Sequence, residues 1–121
     1  MATIFLVDDS ATMLLSLKQI LGSAGFTIET APDGQAAFER LKAGLKPNLI
    51  ITDINMPRMN GLDFIKAART LVRFIPILAL TTESQASKRD EAKRNGATGW
   101  LVKPVDGNDL LKIVRQVMPG H

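Results

Sequence analysis

The chain has 121 residues, 45% hydrophobic and 22% charged, with a formal net charge of +3 and no cysteine. That length suits one domain, the apolar fraction is too high for a disordered chain, and the missing thiols exclude a disulfide framework and any thiolate metal site. The N-terminal Met-Ala-Thr-Ile-Phe-Leu-Val-Asp-Asp has no basic region before its short apolar run, so it does not read as a signal peptide. No apolar run approaches the roughly 18–20 residues of a membrane helix. The expectation is one soluble, cytoplasmic domain over residues 1–121, without a membrane partner.

Short apolar segments alternate with helical stripes along the chain. Ile4–Val7 reads as the first strand. Met13, Leu14, Leu17, Ile20 and Leu21 follow at i, i+3, i+4, i+7 spacing. Phe26–Ala31 is the second strand, followed by a weaker stripe of Ala37, Phe38 and Leu41. Leu49–Thr52 precedes a stripe of Leu62, Ile65, Ala68 and Leu71. Ile77–Leu80 precedes residues 84–95, helical by composition but with almost no large apolar residue. Trp100–Val102 is the fifth strand, and Leu110, Leu111, Val114, Val117 and Met118 form the last stripe. Ser10, Asp33, Asn60 and Asp106 stand at helix starts, and Gly25, Gly44 and Gly96 follow helical stretches as left-handed C′ residues do. Strands alternating with helices mean βαβ units, a parallel sheet and helices on both faces. With right-handed crossovers, the fold class is α/β, a doubly wound (βα)5 three-layer sandwich.

All strands of such a sheet end on one edge, where ligands bind. Asp8 and Asp9 follow the first strand, Asp53 the third, Thr81 and Thr82 the fourth, and Lys103 the fifth. Three carboxylates so placed repel unless a cation compensates. With oxygen donors and no His or Cys among them, the cation indicated is hard and divalent, Mg²⁺ first. Carboxylates, a hydroxyl and an ammonium around such an ion suit phosphoryl transfer to a carboxylate. Each residue alone has a plainer reading: Asp9 or Ser10 as a helix cap, Thr81 as a β-branched strand residue. Those readings do not explain convergence on one edge, and Lys103 at the end of a buried strand is the hardest to explain otherwise.

Leu6-Val7-Asp8-Asp9-Ser10, Thr52-Asp53-Ile54-Asn55-Met56-Pro57-Arg58-Met59-Asn60-Gly61, Leu80-Thr81-Thr82-Glu83 and Val102-Lys103-Pro104 together resemble a two-component response-regulator receiver domain of the stand-alone chemotaxis (CheY-like) type. The resemblance spans essentially the whole chain and implies a flavodoxin-like fold with strand order 2-1-3-4-5. It implies Asp53 as phosphoacceptor, with Mg²⁺ held by Asp8, Asp9, Asp53 and the Asn55 backbone carbonyl. Lys103 would pair with the aspartate and then its phosphate, and Thr81 would turn to the phosphoryl group. Trp100 takes the switch-aromatic position, usually Tyr or Phe, where it would rotate inward. Asn55 and Glu83 would tune how fast water reaches the acyl phosphate, and Lys103-Pro104 would be cis. The implied activity is self-phosphorylation and self-dephosphorylation, without turnover of an external substrate.

The implied partners are a sensor histidine kinase or phosphotransfer domain and, as output, a flagellar motor switch or other acidic docking segment, with the protein a monomer. The alternative output is a phosphorelay intermediate or phosphate sink. A haloacid-dehalogenase phosphatase would want Asp-x-Asp after its first strand. A flavodoxin would want a Ser/Thr/Gly-rich phosphate loop there, and a DNA-binding regulator would want an output domain. Terminal His121 is expected to be neither phosphodonor nor ligand. The charge is uneven: residues 1–60 carry five basic and six acidic side chains, and residues 61–121 carry ten and six. The excess is therefore read not as nucleic-acid binding but as a basic output face of Lys88, Arg89, Lys93, Arg94, Lys103, Lys112 and Arg115. Pairing of Asp90 and Glu91 with Lys93 and Arg94 on a solvated helix is the competing reading.

Overall fold

The computed structural model describes residues 2–82 and 86–119. In chain order it runs β1 (Thr3–Val7), α1 (Ala11–Ser23), β2 (Thr27–Ala31), α2 (Gly34–Lys42), β3 (Leu49–Asp53), α3 (Gly61–Arg69), β4 (Ile77–Thr81), α4 (Ala86–Asn95), β5 (Gly99–Val102) and α5 (Gly107–Val117). The strands pair in parallel in the order β2-β1-β3-β4-β5. Both the sandwich class and the expected strand order therefore hold. Two strand ends reach one residue further than the apolar runs suggest. Asp53 and Thr81 close β3 and β4 from inside the ladders, opposite Leu80 and Val102.

Strand side chains alternate in direction, so each central strand feeds two cores. Phe5, Val7, Ile50, Ile77 and Ala79 point to one face, where they meet Ala37 and Leu41 of α2, Phe64, Ile65 and Ala68 of α3, and Ala92 of α4. Ile4, Leu6, Leu49, Ile51, Leu78, Leu80 and Leu101 point to the other, against Leu17 and Leu21 of α1 and Leu110 and Val114 of α5. Each large side chain so buried contributes about 1.5–3 kcal/mol. The third helical stripe needs correction. Leu71 lies beyond the end of α3 and is exposed, whereas Phe64 is fully buried and anchors that helix. An i+9 position stays on the stripe only if the helix runs that far, and α3 ends at Arg69.

All four expected caps form. Ser10 Oγ accepts from Met13 N, Asp33 Oδ1 from Ala36 N, Asn60 Oδ1 from Asp63 N, and Asp106 Oδ1 from Asn108 N and Asp109 N. Gly25, Gly44 and Gly96 all have positive φ, as C′ residues should. The fourth helix is described from residue 86; residues 84 and 85 of the expected span, like Glu83 and His121, lie outside the described residues. Ala92 is the buried apolar side chain that α4 contributes to the core. Polar contacts hold its far end: Asn95 Nδ2 donates to Leu62 O at 2.9 Å, and Arg69 Nε donates to Gly96 O at 2.8 Å. The same guanidinium also donates to the carbonyls of Val72 and Ile75, joining the ends of α3 and α4 below β4.

Candidate functional site

Parallel pairing brings the C-terminal ends of β1, β3, β4 and β5 to one edge, and Asp8, Asp9, Asp53 and Lys103 of the expected residues converge there. One oxygen from each of Asp8, Asp9 and Asp53 lies within 4.8 Å of the others. Asp8 and Asp53 are buried and Asp9 is exposed. Lys103 Nζ stands 3.1 Å from Asp53 Oδ1 and 3.4 Å from Asp8 Oδ2. Backbone donors complete the carboxylates: Ser10 N to Asp8 Oδ1 and Ile54 N to Asp53 Oδ1, each at 2.9 Å. The Lys103-Pro104 peptide is cis, and Lys103 N donates to Thr81 O, which fixes the start of that loop.

Close packing sets Asp53 in place. Gly61 N donates to Ile54 O at 2.7 Å, and a Cβ at Gly61 would lie 1.9 Å from the Asp53 carbonyl oxygen. Gly34 N donates to Met59 O, tying the loop from 54 to 60 to the start of α2. That loop carries Asn55, exposed at the rim beside Asp53.

Burial pushes the Asp8 carboxyl above its ordinary value, and the Asp53 charge pushes the same way. The Ser10 N–H and Lys103 only partly offset this. The folded state therefore holds that proton more tightly than the unfolded chain. Metal-free stability is greatest below pH 3.8 as far as Asp8 is concerned, and falls as pH rises through its raised pKa. A cation among the three carboxylates would remove this cost, and an oxygen-only donor set suits a hard divalent ion. Asp8→Asn is accordingly expected to raise the melting temperature of metal-free protein at pH 7 by a few degrees, about 1 kcal/mol. It should also suppress the stabilisation of wild type by Mg²⁺. Thermal melts of both proteins with EDTA and with Mg²⁺ check this.

Two of the expected residues point elsewhere. Thr81 is fully buried, and its hydroxyl donates to Leu101 O at 3.4 Å rather than to Asp53. Trp100 lies in β5 with 42% of its surface exposed, its ring covered by the Arg89 guanidinium, whose Cζ is 5.6 Å from the ring centroid. A cation–π contact of this kind contributes about 0.5–2 kcal/mol. Among the described residues Arg89 Nε is buried without a hydrogen-bond partner, which offsets part of that gain.

The basic output face is smaller than its residue count suggests. Lys103 belongs to the acidic rim, Arg89 lies on Trp100, and Lys88 Nζ reaches Asn55 Oδ1 at 3.2 Å. Lys93, Arg94, Lys112 and Arg115 remain exposed. The competing ion pairs of Asp90 and Glu91 with Lys93 and Arg94 do not form among the described residues. The reach of Lys88 to the site escapes a sequence reading. Its one trace is a cation in the first turn of a helix, where the dipole disfavours it.

Fold and acidic rim together are those of a receiver domain, and the chain belongs to the response regulator receiver domains, whose family model matches residues 4–115. Within that family it is similar to chemotaxis regulators. Chemotaxis protein CheY1 of Helicobacter pylori is 39% identical over 104 residues, 84% of each chain. Protein PilH of Pseudomonas aeruginosa is 35% identical over 125 residues, 99% of this chain and all of its own. The solved structure of the chemotaxis response regulator CheY4 of Vibrio cholerae superposes with a TM-score of 0.89 at 43% identity, covering 97% of this chain and 98% of that one.

Proposed function

We propose that Asp53 accepts a phosphoryl group from a histidine kinase or phosphotransfer domain and that the phosphorylated state changes partner binding. The reading rests above all on the Asp53 carboxylate, held at the end of β3 between the Asp8–Asp9 pair and the Lys103 ammonium. Asp8 and Asp9, with Asp53 and the Asn55 carbonyl, hold Mg²⁺. When bound, the ion neutralises phosphoryl oxygens. Lys103 offers its ammonium to the same oxygens and orients the attacking carboxylate oxygen. Ile54 N keeps Asp53 in position, and Thr81, leaving Leu101 O, donates its hydroxyl to the new phosphate. Trp100 then fills the space that Thr81 vacates, which requires it to leave Arg89. Asn55 and Glu83 govern water access.

The output surface is the face of α4, β5 and α5, where Trp100, Val105, Ile113 and Lys112 line a groove. Lys93, Arg94, Lys112 and Arg115 favour an acidic docking segment, such as a flagellar motor-switch component. The protein works as a cytoplasmic monomer. Asp53→Ala is expected to abolish labelling by radiolabelled acetyl phosphate and the accompanying change in Trp100 emission. Labelling of that variant at the wild-type rate would sink the acceptor assignment. Co-precipitation with a motor-switch component should depend on acetyl phosphate. Phosphate passing on to a phosphotransfer protein without such binding marks the relay or sink role instead.

A further inference from the structure

We propose that Lys88 is a positioning residue that sets the lifetime of the phosphorylated state by holding Asn55 across the exposed side of the Asp53 site. The inference rests on Asp53 being the phosphoacceptor. Asp53 is only 6% exposed, and Asp8 and Thr81 beside it are more deeply buried. Water reaching the acyl phosphate therefore comes from the exposed part of the rim, where Asp9 and Asn55 are exposed among the described residues. Asn55 is a short side chain on a loop, free to rotate unless something holds it.

Lys88 supplies the hold. Its Nζ donates to Asn55 Oδ1 at 3.2 Å across a sequence separation of 33, linking α4 to the loop after β3. The choice of partner is telling. Lys88 makes no ion pair among the described residues, although Asp90 and Glu91 lie on its own helix. It also sits in the first turn of α4, where the helix dipole opposes a cation. In this solvent-exposed bond the ammonium takes a neutral amide oxygen as its partner, and a charged donor makes the stronger hydrogen bond. The lysine stem also narrows the same approach.

The step affected is hydrolysis. The water oxygen forms a bond to phosphorus as the bond between phosphorus and the Asp53 oxygen breaks. The electron pair returns to the carboxylate, and the water proton leaves with inorganic phosphate. Removing the tether admits water without altering the acceptor or the carboxylate cluster. Lys88 thus acts through Asn55 and is not a catalytic residue.

The test labels the full chain with radiolabelled acetyl phosphate in Mg²⁺, removes the donor and follows phosphate loss. Lys88→Met should lose phosphate about three- to tenfold faster than wild type, as expected for one lost charged hydrogen bond. Lys88→Arg should stay within about twofold of wild type, because it keeps a charged donor of similar reach. Lys88→Met combined with Asn55→Ala should be no faster than Asn55→Ala alone, since coupled residues are not additive. The Mg²⁺ dependence of labelling and the urea midpoint should match wild type, which a merely structural defect would not allow. A wild-type lifetime in Lys88→Met, additivity in the double variant, or a Lys88→Arg protein as fast as Lys88→Met overturns this inference alone. A wild type that takes up no label overturns the phosphoacceptor reading and this inference with it.

Discussion

Lys103→Met is expected to slow phosphoryl transfer to Asp53 by about a hundred- to a thousandfold, the usual loss when a preorganised donor is removed from developing negative charge. Its two contacts, 3.1 Å to Asp53 and 3.4 Å to Asp8, make it the cation already present among the buried carboxylates. Burial pulls the Lys103 ammonium down, but its hydrogen bonds and charge contacts with Asp53 and Asp8 outweigh that and raise it above 10.5. A raised basic group stabilises the folded state fully below its unfolded value, and the contribution fades as pH climbs through the folded one. The methionine variant should therefore lack this alkaline decline. At neutral pH it should be less stable without metal by about 2–3 kcal/mol, because it leaves buried carboxylates uncompensated. Mg²⁺ should recover part of that loss. Stopped-flow labelling and urea melts with and without Mg²⁺ measure both effects, and an unaltered transfer rate would remove Lys103 from the site.

Gly61→Ala should cost about 3 kcal/mol or more. The added Cβ would sit 1.9 Å from the Asp53 carbonyl oxygen and 2.8 Å from Ile54 Cα, both backbone atoms that no rotamer change can move aside. The glycine lets the start of α3 press on the peptide of Asp53, with Gly61 N bonded to Ile54 O. The substitution should lower the urea midpoint sharply and, in whatever protein remains folded, weaken labelling through a displaced Asp53. At Gly22, inside α1, an added Cβ meets nothing within 4 Å, so Gly22→Ala serves as the contrasting control and should keep or slightly raise the midpoint. Equal midpoints for the two variants would show that the loop yields freely.

The parts of the molecule legible in sequence are those that local chemistry decides. Ser10, Asp33, Asn60 and Asp106 cap because their short oxygen-bearing side chains reach free N–H groups two or three residues on. Asp8, Asp53 and Lys103 meet because parallel strands share one edge. Side-chain direction across elements is not local. Lys88, Arg89 and Lys103 look alike in a charge count, yet one bonds an amide, one covers an indole and one pairs with buried carboxylates. Periodicity likewise favoured Leu71 over Phe64, because it carries no mark of where α3 stops.

The uneven anchoring of α4 has a mechanical consequence. Its C-terminal end is riveted by Arg69 and Asn95, while Ala92 is its contribution to the apolar core. It is thus a lever with its fulcrum beneath β4, latched to the rim by the Lys88–Asn55 bond and to β5 by the Arg89–Trp100 contact, and releasing those latches exposes little of the oil that holds the rest of the domain together.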